Sequence, residues 1–250
     1  MSSRPRREPR ECARTVEQDL KLPGGDDERF AGYGVMGQPF RSGHYLAMRH
    51  FPATSVGPGY RALWHRGPTG RWTIYADVAP ELSCARYFGL ALDKAETSAV
   101  AVDWTGPRSL TVTVPDVVVW DIELVSTVAT RLLSKVGARL PRRAWRSDAV
   151  LTAMAPMAGQ ILRAGRVGLL GRVPNGQQFQ VNPRLLWEVE TAGALWKGSD
   201  LGPCGPLPEQ DRLGDFWLPQ RGLFVVGEAF YETFDDTRHS DVTRGVLPMS

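Results

Sequence analysis

The sequence predicts a mainly β fold: an antiparallel β-barrel, or two barrel-like halves, with a helical insert near residues 126–165. Three observations predict it. A short turn pattern occurs twice, as Arg66-Gly67-Pro68-Thr69-Gly70 and as Arg172-Val173-Pro174-Asn175-Gly176. Short alternating segments separated by Gly, Pro and Asp recur through most of the chain. The apolar period changes from two to that of a helix only over 126–165.

Each turn pattern lies between two runs that read as strands. Proline presets φ at the second turn position, and glycine supplies the positive φ that closes the turn. The organisation that follows has a disordered basic arm over 1–30 and a β-rich domain over 31–234. Its halves are 31–125 and 166–234, joined by 126–165, and a polar tail follows over 235–250.

Along the chain, Pro23-Gly24-Gly25-Asp26-Asp27 ends the arm. Gly32-Tyr33-Gly34-Val35-Met36-Gly37 has the G-x-G-x-x-G form but lacks a strand before it and a helix after it. It reads as a glycine-rich loop and not as a dinucleotide fingerprint. His44 to Phe51 reads as a strand. Tyr60 to Arg66 and Arg71 to Val78 form the first hairpin, with Trp72, Ile74, Ala76 and Val78 on one face. Ala85 to Leu92, Ala99 to Trp104, Leu110 to Val114 and Val117 to Val125 continue the run of strands. Between Ser147, a suitable N-cap, and Gly165, a suitable C-terminal stop, Val150, Leu151, Met154, Met157, Ala158, Ile161 and Leu162 recur at helical spacing. Pro156 should kink or split that helix. Val167 to Gly171 and Gln177 to Val181 form the second hairpin, Leu185 to Thr191 alternates, 197–222 reads as a long loop, and Leu223 to Phe234 as the last strand.

Composition narrows the function classes. Hydrophobic residues make up 42% of the 250 and charged ones 23%, ordinary for a chain that builds its own core. Residues 1–14 carry five arginines against two glutamates, which equals the whole net charge of +3. The folded part is therefore balanced, and nucleic acid is not an expected partner. Three scattered cysteines give neither a disulfide framework nor a metal clip. The arm lacks the apolar segment of a signal peptide, and no apolar run of about 18 residues occurs, so the expected location is cytoplasmic. Peripheral membrane contact through the arm and through Arg139, Arg142, Arg143, Trp145 and Arg146 is an alternative.

Catalytic signatures of the metalloprotease, nucleophile-elbow and P-loop kinds are absent. His44, His50 and His65 could approach as a tri-histidine metal site, but strand histidines with hydrogen-bond partners are commoner, and neither metal nor cofactor is expected. Strand alternation places Asp121 and Glu123 on one face beside valines. Lining a cavity, they would repel each other and one would act as a general acid; facing water, they would be the polar side of a strand. Glu228 shares a face with Phe224, Val226 and Phe230 and is a third candidate acid. Trp64, Trp72, Tyr75, Trp120 and Trp187 are candidate walls of an apolar ligand site.

The segment Trp64 to Tyr75, with the repeated R-x-P-x-G element, resembles hairpins of the lipocalin-like carotenoid hydratase and hydroxyneurosporene synthase superfamily. That resemblance implies two successive barrel-like halves, a cavity for long apolar molecules and, in some members, acid-assisted hydration or cyclisation. The expected function is binding of a hydrophobic small molecule or lipid in a β-barrel cavity. The alternatives are an acid-assisted hydratase, cyclase or isomerase acting on an apolar substrate, and a membrane-associated interaction protein.

Overall fold

The computed structural model describes residues 8–240. In chain order its elements are α1 (Pro9–Gln18), β1 (Glu28–Pro39), β2 (Tyr45–Thr54), β3 (Tyr60–Arg66), β4 (Trp72–Ala76), α2 (Ala85–Phe88), β5 (Lys94–Thr97), β6 (Ala101–Trp104), β7 (Ser109–Val114) and β8 (Val118–Val125). They continue with α3 (Val128–Arg139), α4 (Arg142–Trp145), α5 (Asp148–Leu162), β9 (Leu170–Arg172), β10 (Gln178–Trp196), β11 (Ser199–Asp200), β12 (Arg212–Leu213), β13 (Phe216–Trp217) and β14 (Leu223–Tyr231).

Ten strands form one continuous path, β5-β4-β3-β2-β1-β14-β10-β8-β7-β6, and β9 and β11 also pair with β10. Every pairing is antiparallel except β4 with β5. The edge strands β5 and β6 are consecutive in the chain, with only residues 98–100 between them. Laid flat, ten strands would hold those edges about 43 Å apart, at roughly 4.8 Å per strand. The link spans at most about 14 Å. The sheet must therefore curl until its edges approach, which makes it barrel-like. The expected mainly β class with a helical insert is what the chain adopts.

The two halves do not close separately. The β10 and β14 strands, from the second half, lie between β1 and β8 of the first. The repeated turns are equivalent in detail. Gly67 N–H donates to the Arg71 carbonyl at 2.9 Å and Gly70 N–H to the Gly67 carbonyl at 3.0 Å; Val173 with Gln177 and Gly176 with Val173 repeat this at 3.0 and 2.8 Å. Gly70 and Gly176 have φ of +85° and +95°.

Four expectations are corrected. Part of the supposed disordered arm is α1, which starts with Pro9 at its first turn, buries Cys12 and Ala13, and bonds Glu17 to the Tyr33 hydroxyl at 2.6 Å. Residues 1–7 of the arm and 241–250 of the tail lie outside the described residues. The glycine-rich segment 32–37 is part of β1. A Cβ at Gly34 would stand 2.1 Å from the Met48 carbonyl oxygen, so glycine here admits the neighbouring strand and forms no loop. Residues 85–92 are α2 and a short 3₁₀ turn. Finally, Pro156 does not split the helix, since α5 is continuous through it. In front of it α3 is set by a reciprocal cap, in which Thr127 Oγ1 accepts from Thr130 N–H at 3.2 Å and Thr130 Oγ1 from Thr127 N–H at 2.9 Å.

The curl separates two apolar faces. One cluster joins Leu46, Met48, Tyr75, Val112, Trp120, Ile122, Trp187 and Phe224, with Val102 and Trp104 packed against it. It draws on strands near both edges, so it fills the inside of the curl. The other contains Tyr45, Ala47, Trp64, Trp72, Cys84, Phe88 and Tyr231 and lies on the outer face of β2–β4, beneath α2 and the 197–222 segment. No helix of the described residues is long and apolar enough to cross a membrane.

Candidate functional site

The inside of the curl is packed with side chains, and the cavity worth noting lies on the outer face. It has a volume of about 130 Å³ and lies between β1, β2 and β14 on one side and α5 and Phe216–Trp217 on the other. Trp64, Phe88, Phe51, Leu162, Leu186 and Leu223 make most of its wall apolar. Gly32 and Gly227 also border it, and each is a close approach of strands: a Cβ would stand 2.1 Å from the His50 carbonyl oxygen at Gly32 and 2.3 Å from that of Asn182 at Gly227.

Alternation along β2 builds its polar end. Leu46 and Met48 turn inward, whereas Tyr45 and Ala47 turn outward, and Arg49 follows them onto the cavity face. Arg49 is buried. Its Nη1 donates to the carbonyls of Val35 at 2.6 Å and Met48 at 3.0 Å, and Nη2 to Met36 at 3.2 Å. Its guanidinium also stands over the Trp64 ring, 5.1 Å from the centroid. Guanidinium carries five N–H donors, so two remain after these bonds. Among the described residues no carboxylate pairs with it.

Its polar neighbours are Cys84, Tyr45, Tyr231 and Tyr60. Burial pushes each of them up, so they stay protonated and neutral. Burial also pulls Arg49 down from the ordinary arginine value, which starts high enough for the charge to persist at neutral pH. Tyr60 Oη and Cys84 Sγ are 2.9 Å apart, and Tyr45 Oη donates to the Pro219 carbonyl at 2.8 Å. Tyr231 stacks on Tyr87 at 3.8 Å between centroids, and its side chain lines the cavity.

The sequence-based candidates scatter. Trp64 and Glu228 line the cavity. Glu228 is held by Arg184 Nη2 at 3.2 Å. Trp120, Trp187 and Tyr75 belong to the inner cluster, and Trp72 packs on the outer face, donating from Nε1 to Asp211 at 3.3 Å. Asp121 and Glu123 are corrected: they border a shallow surface groove outside the curl, because Trp120 and Ile122 take the inward positions of β8. Thr111 Oγ1 donates to Asp121 at 2.6 Å and Ser109 Oγ donates to Glu123. The histidines do not converge. His44 Nδ1 and His65 Nε2 are 2.9 Å apart, whereas His50 bonds to the Tyr33 hydroxyl. No group of three His, Cys, Asp or Glu among the described residues could hold a metal ion. None of the four lysines, Lys21, Lys94, Lys135 and Lys197, lines the cavity.

Arg49, Tyr231 and Cys84 escaped the sequence reading. The signal for Arg49 was present: a charged residue alternating with Tyr45, Ala47 and Phe51 on an otherwise apolar strand face.

Fold and site together define a class: a curled antiparallel sheet, solid inside, carrying an apolar arginine-bearing pocket on its outer face under a helical roof. No family model and no curated protein matches the chain, so the resemblance to the carotenoid hydratase superfamily gains no support. Two solved structures share its general outline. An acetoacetate decarboxylase from Legionella pneumophila is 6% identical with a TM-score of 0.42, covering 94% of this chain and 96% of its own. A second acetoacetate decarboxylase is 10% identical with a TM-score of 0.40, covering 84% and 88%. Likeness at this level assigns neither an activity nor a residue role.

Proposed function

We propose that this protein binds a small apolar molecule bearing an acidic group, with Arg49 as its counter-ion. One observation carries this reading: a buried guanidinium with two uncommitted donors, no carboxylate paired with it and a largely apolar cavity in front of it, whose one lining carboxylate, Glu228, is paired with Arg184. Removing a charge from water costs several kcal/mol, so a buried charge is normally paired. Protonated tyrosines and a thiol give no opposite charge. A ligand carboxylate would, accepting two parallel N–H bonds from the guanidinium. The Tyr231 hydroxyl can donate a further bond, and Trp64, Phe88 and Leu162 sheathe the apolar part.

The cavity limits the ligand. An apolar protein cavity of about 150 Å³ holds benzene. A volume of about 130 Å³ therefore suits a single ring or a short branched chain, and not a long polyene. Acid-assisted hydration or cyclisation would fall to Glu228, whose carboxylate is already engaged by Arg184. Binding is accordingly the reading put forward.

The test compares matched ligands by thermal shift and tryptophan fluorescence. Benzoate, phenylacetate and hexanoate should raise the melting temperature, whereas benzamide and methyl benzoate should not. Equal shifts from acids and their neutral analogues would remove the role given to Arg49. No shift from any of them would remove the pocket as a ligand site.

A further inference from the structure

The segment that roofs the pocket also has an outer surface. Residues 126–166 hold eight basic residues and one acidic residue, Asp148. On α3, Val128, Leu132 and Val136 follow one another every four residues, hence on one stripe. Val128 is 73% exposed and Leu132 53%, far beyond what an apolar stripe on a packed helix shows. On α5, Met157 and Ile161 repeat the spacing and are also exposed. The two helices meet where Leu133 and Ala129 of α3 share a cluster with Leu162, so both stripes flank one helix–helix contact.

The charged residues of α3, of α4 and of the turn after α5 are all basic. Lys135 and Arg139 fall on the same side of α3 as Leu132, and Arg142, Arg143 and Arg163 are exposed on the adjoining turns. None of these five pairs with a described carboxylate; Arg146, which pairs with Asp27, is the exception in the segment. Apolar side chains ringed by unpaired cations complement a surface that is apolar just below a layer of negative charge. We infer that the outer face of α3 and α5 docks on anionic phospholipid membrane, with Val128, Leu132, Met157 and Ile161 entering the headgroup layer and the arginines facing lipid phosphates. The inner side of α5, through Ala158 and Leu162, walls the pocket, so docking would bring the pocket to the lipid interface.

Vesicle co-sedimentation of the full chain tests this without any pocket ligand, so it stands or fails apart from the binding reading. Protein should sediment with phosphatidylcholine vesicles containing phosphatidylserine, not with phosphatidylcholine alone, and raised salt should release it. Leu132→Ser with Ile161→Ser, and separately Arg139→Gln with Arg142→Gln and Arg143→Gln, should each raise the lipid needed for half-binding by about tenfold or more. All these positions are exposed, and unchanged thermal melting would show that the variants fold. Arg4→Gln with Arg6→Gln and Arg7→Gln should bind as the parent does. Absence of binding to phosphatidylserine vesicles, or a loss that follows Arg4, Arg6 and Arg7, would overturn the inference. So would light scattering that shows a dimer which Leu132→Ser and Ile161→Ser dissolve, since the face would then join two copies of the chain.

Discussion

Arg49 lies across the ring of Trp64, 5.1 Å from its centroid, on the face of the sheet opposite the packed interior. The ring and three backbone carbonyls hold the cation in place without neutralising it. Arg49→Met should therefore separate stability from binding. A buried charge replaced by an apolar side chain of similar length is often neutral or stabilising. The variant is expected to unfold in urea within about 1 kcal/mol of the parent, the lost carbonyl bonds offsetting the relieved desolvation. Binding of an acidic ligand should fall by more than tenfold on the same sample. A strong loss of stability with binding intact would show that Arg49 is structural.

Glu28 joins three parts of the chain. Its carboxylate accepts from Arg86 Nη2 at 2.8 Å, from the Tyr87 hydroxyl at 2.6 Å and from Gln177 Nε2 at 3.3 Å. It therefore ties β1 to α2 and to the second turn, where Asn175 Nδ2 also donates to the Arg86 carbonyl at 3.1 Å. Glu28→Ala would strand a partly buried arginine and a buried hydroxyl at once. The expected cost is about 3–5 kcal/mol by urea unfolding. A cost near that of an ordinary surface substitution would show that water satisfies these groups.

These two residues show what was legible. Both turns, most strands and the helical insert follow from local rules of turn chemistry and alternation, which depend on near neighbours in sequence. The pocket does not, because strand alternation leaves open which face becomes the inside of a curl. Alternation offers the tryptophans as pocket walls, yet Trp120 and Trp187 fill the interior, and Arg49, charged and unremarkable in composition, forms the pocket's polar end. The basic run from Arg139 to Arg146 is legible in the sequence, but the exposed apolar stripes of Val128, Leu132, Met157 and Ile161 beside it emerge only once the helices are packed. Residues 85–92 form α2 and a 3₁₀ turn instead of a strand, with Tyr87 and Phe88 packed against the outer face, an arrangement set by the tertiary fold.

Two glycine substitutions should differ sharply. At Gly34 a Cβ would lie 2.1 Å from the Met48 carbonyl oxygen, a backbone atom of a paired strand that cannot move aside. Gly34→Ala is expected to cost about 3 kcal/mol or more, or to prevent folding. Gly193, also in a strand, has nothing within 4 Å of its would-be Cβ. Gly193→Ala should be neutral or should stabilise by about 0.5 kcal/mol, since it restricts the unfolded chain. Urea midpoints of the pair measure the difference, and similar values would mean that β1 and β2 are not packed this closely.

Acid should weaken the fold before most carboxylates titrate. Burial, then the neighbouring His44 and Lys197, hold His65 down to about 3, and burial, then Arg61, hold His50 down to about 4. In the unfolded chain both return to about 6.5. Between those limits the unfolded state binds protons that the native state refuses, so stability rises with pH across the window. The contribution is complete above about pH 6.5 and is lost as pH falls towards the folded values, by at most about 1.4 kcal/mol per pH unit for each histidine. Urea midpoints at pH 7 and pH 5 should show this decline while ordinary carboxylates remain ionised. In His65→Phe, which can keep the stack on Trp196 now 3.5 Å from the imidazole, the slope should be shallower by up to one proton. An unchanged slope would mean that His65 accepts its proton in the native state.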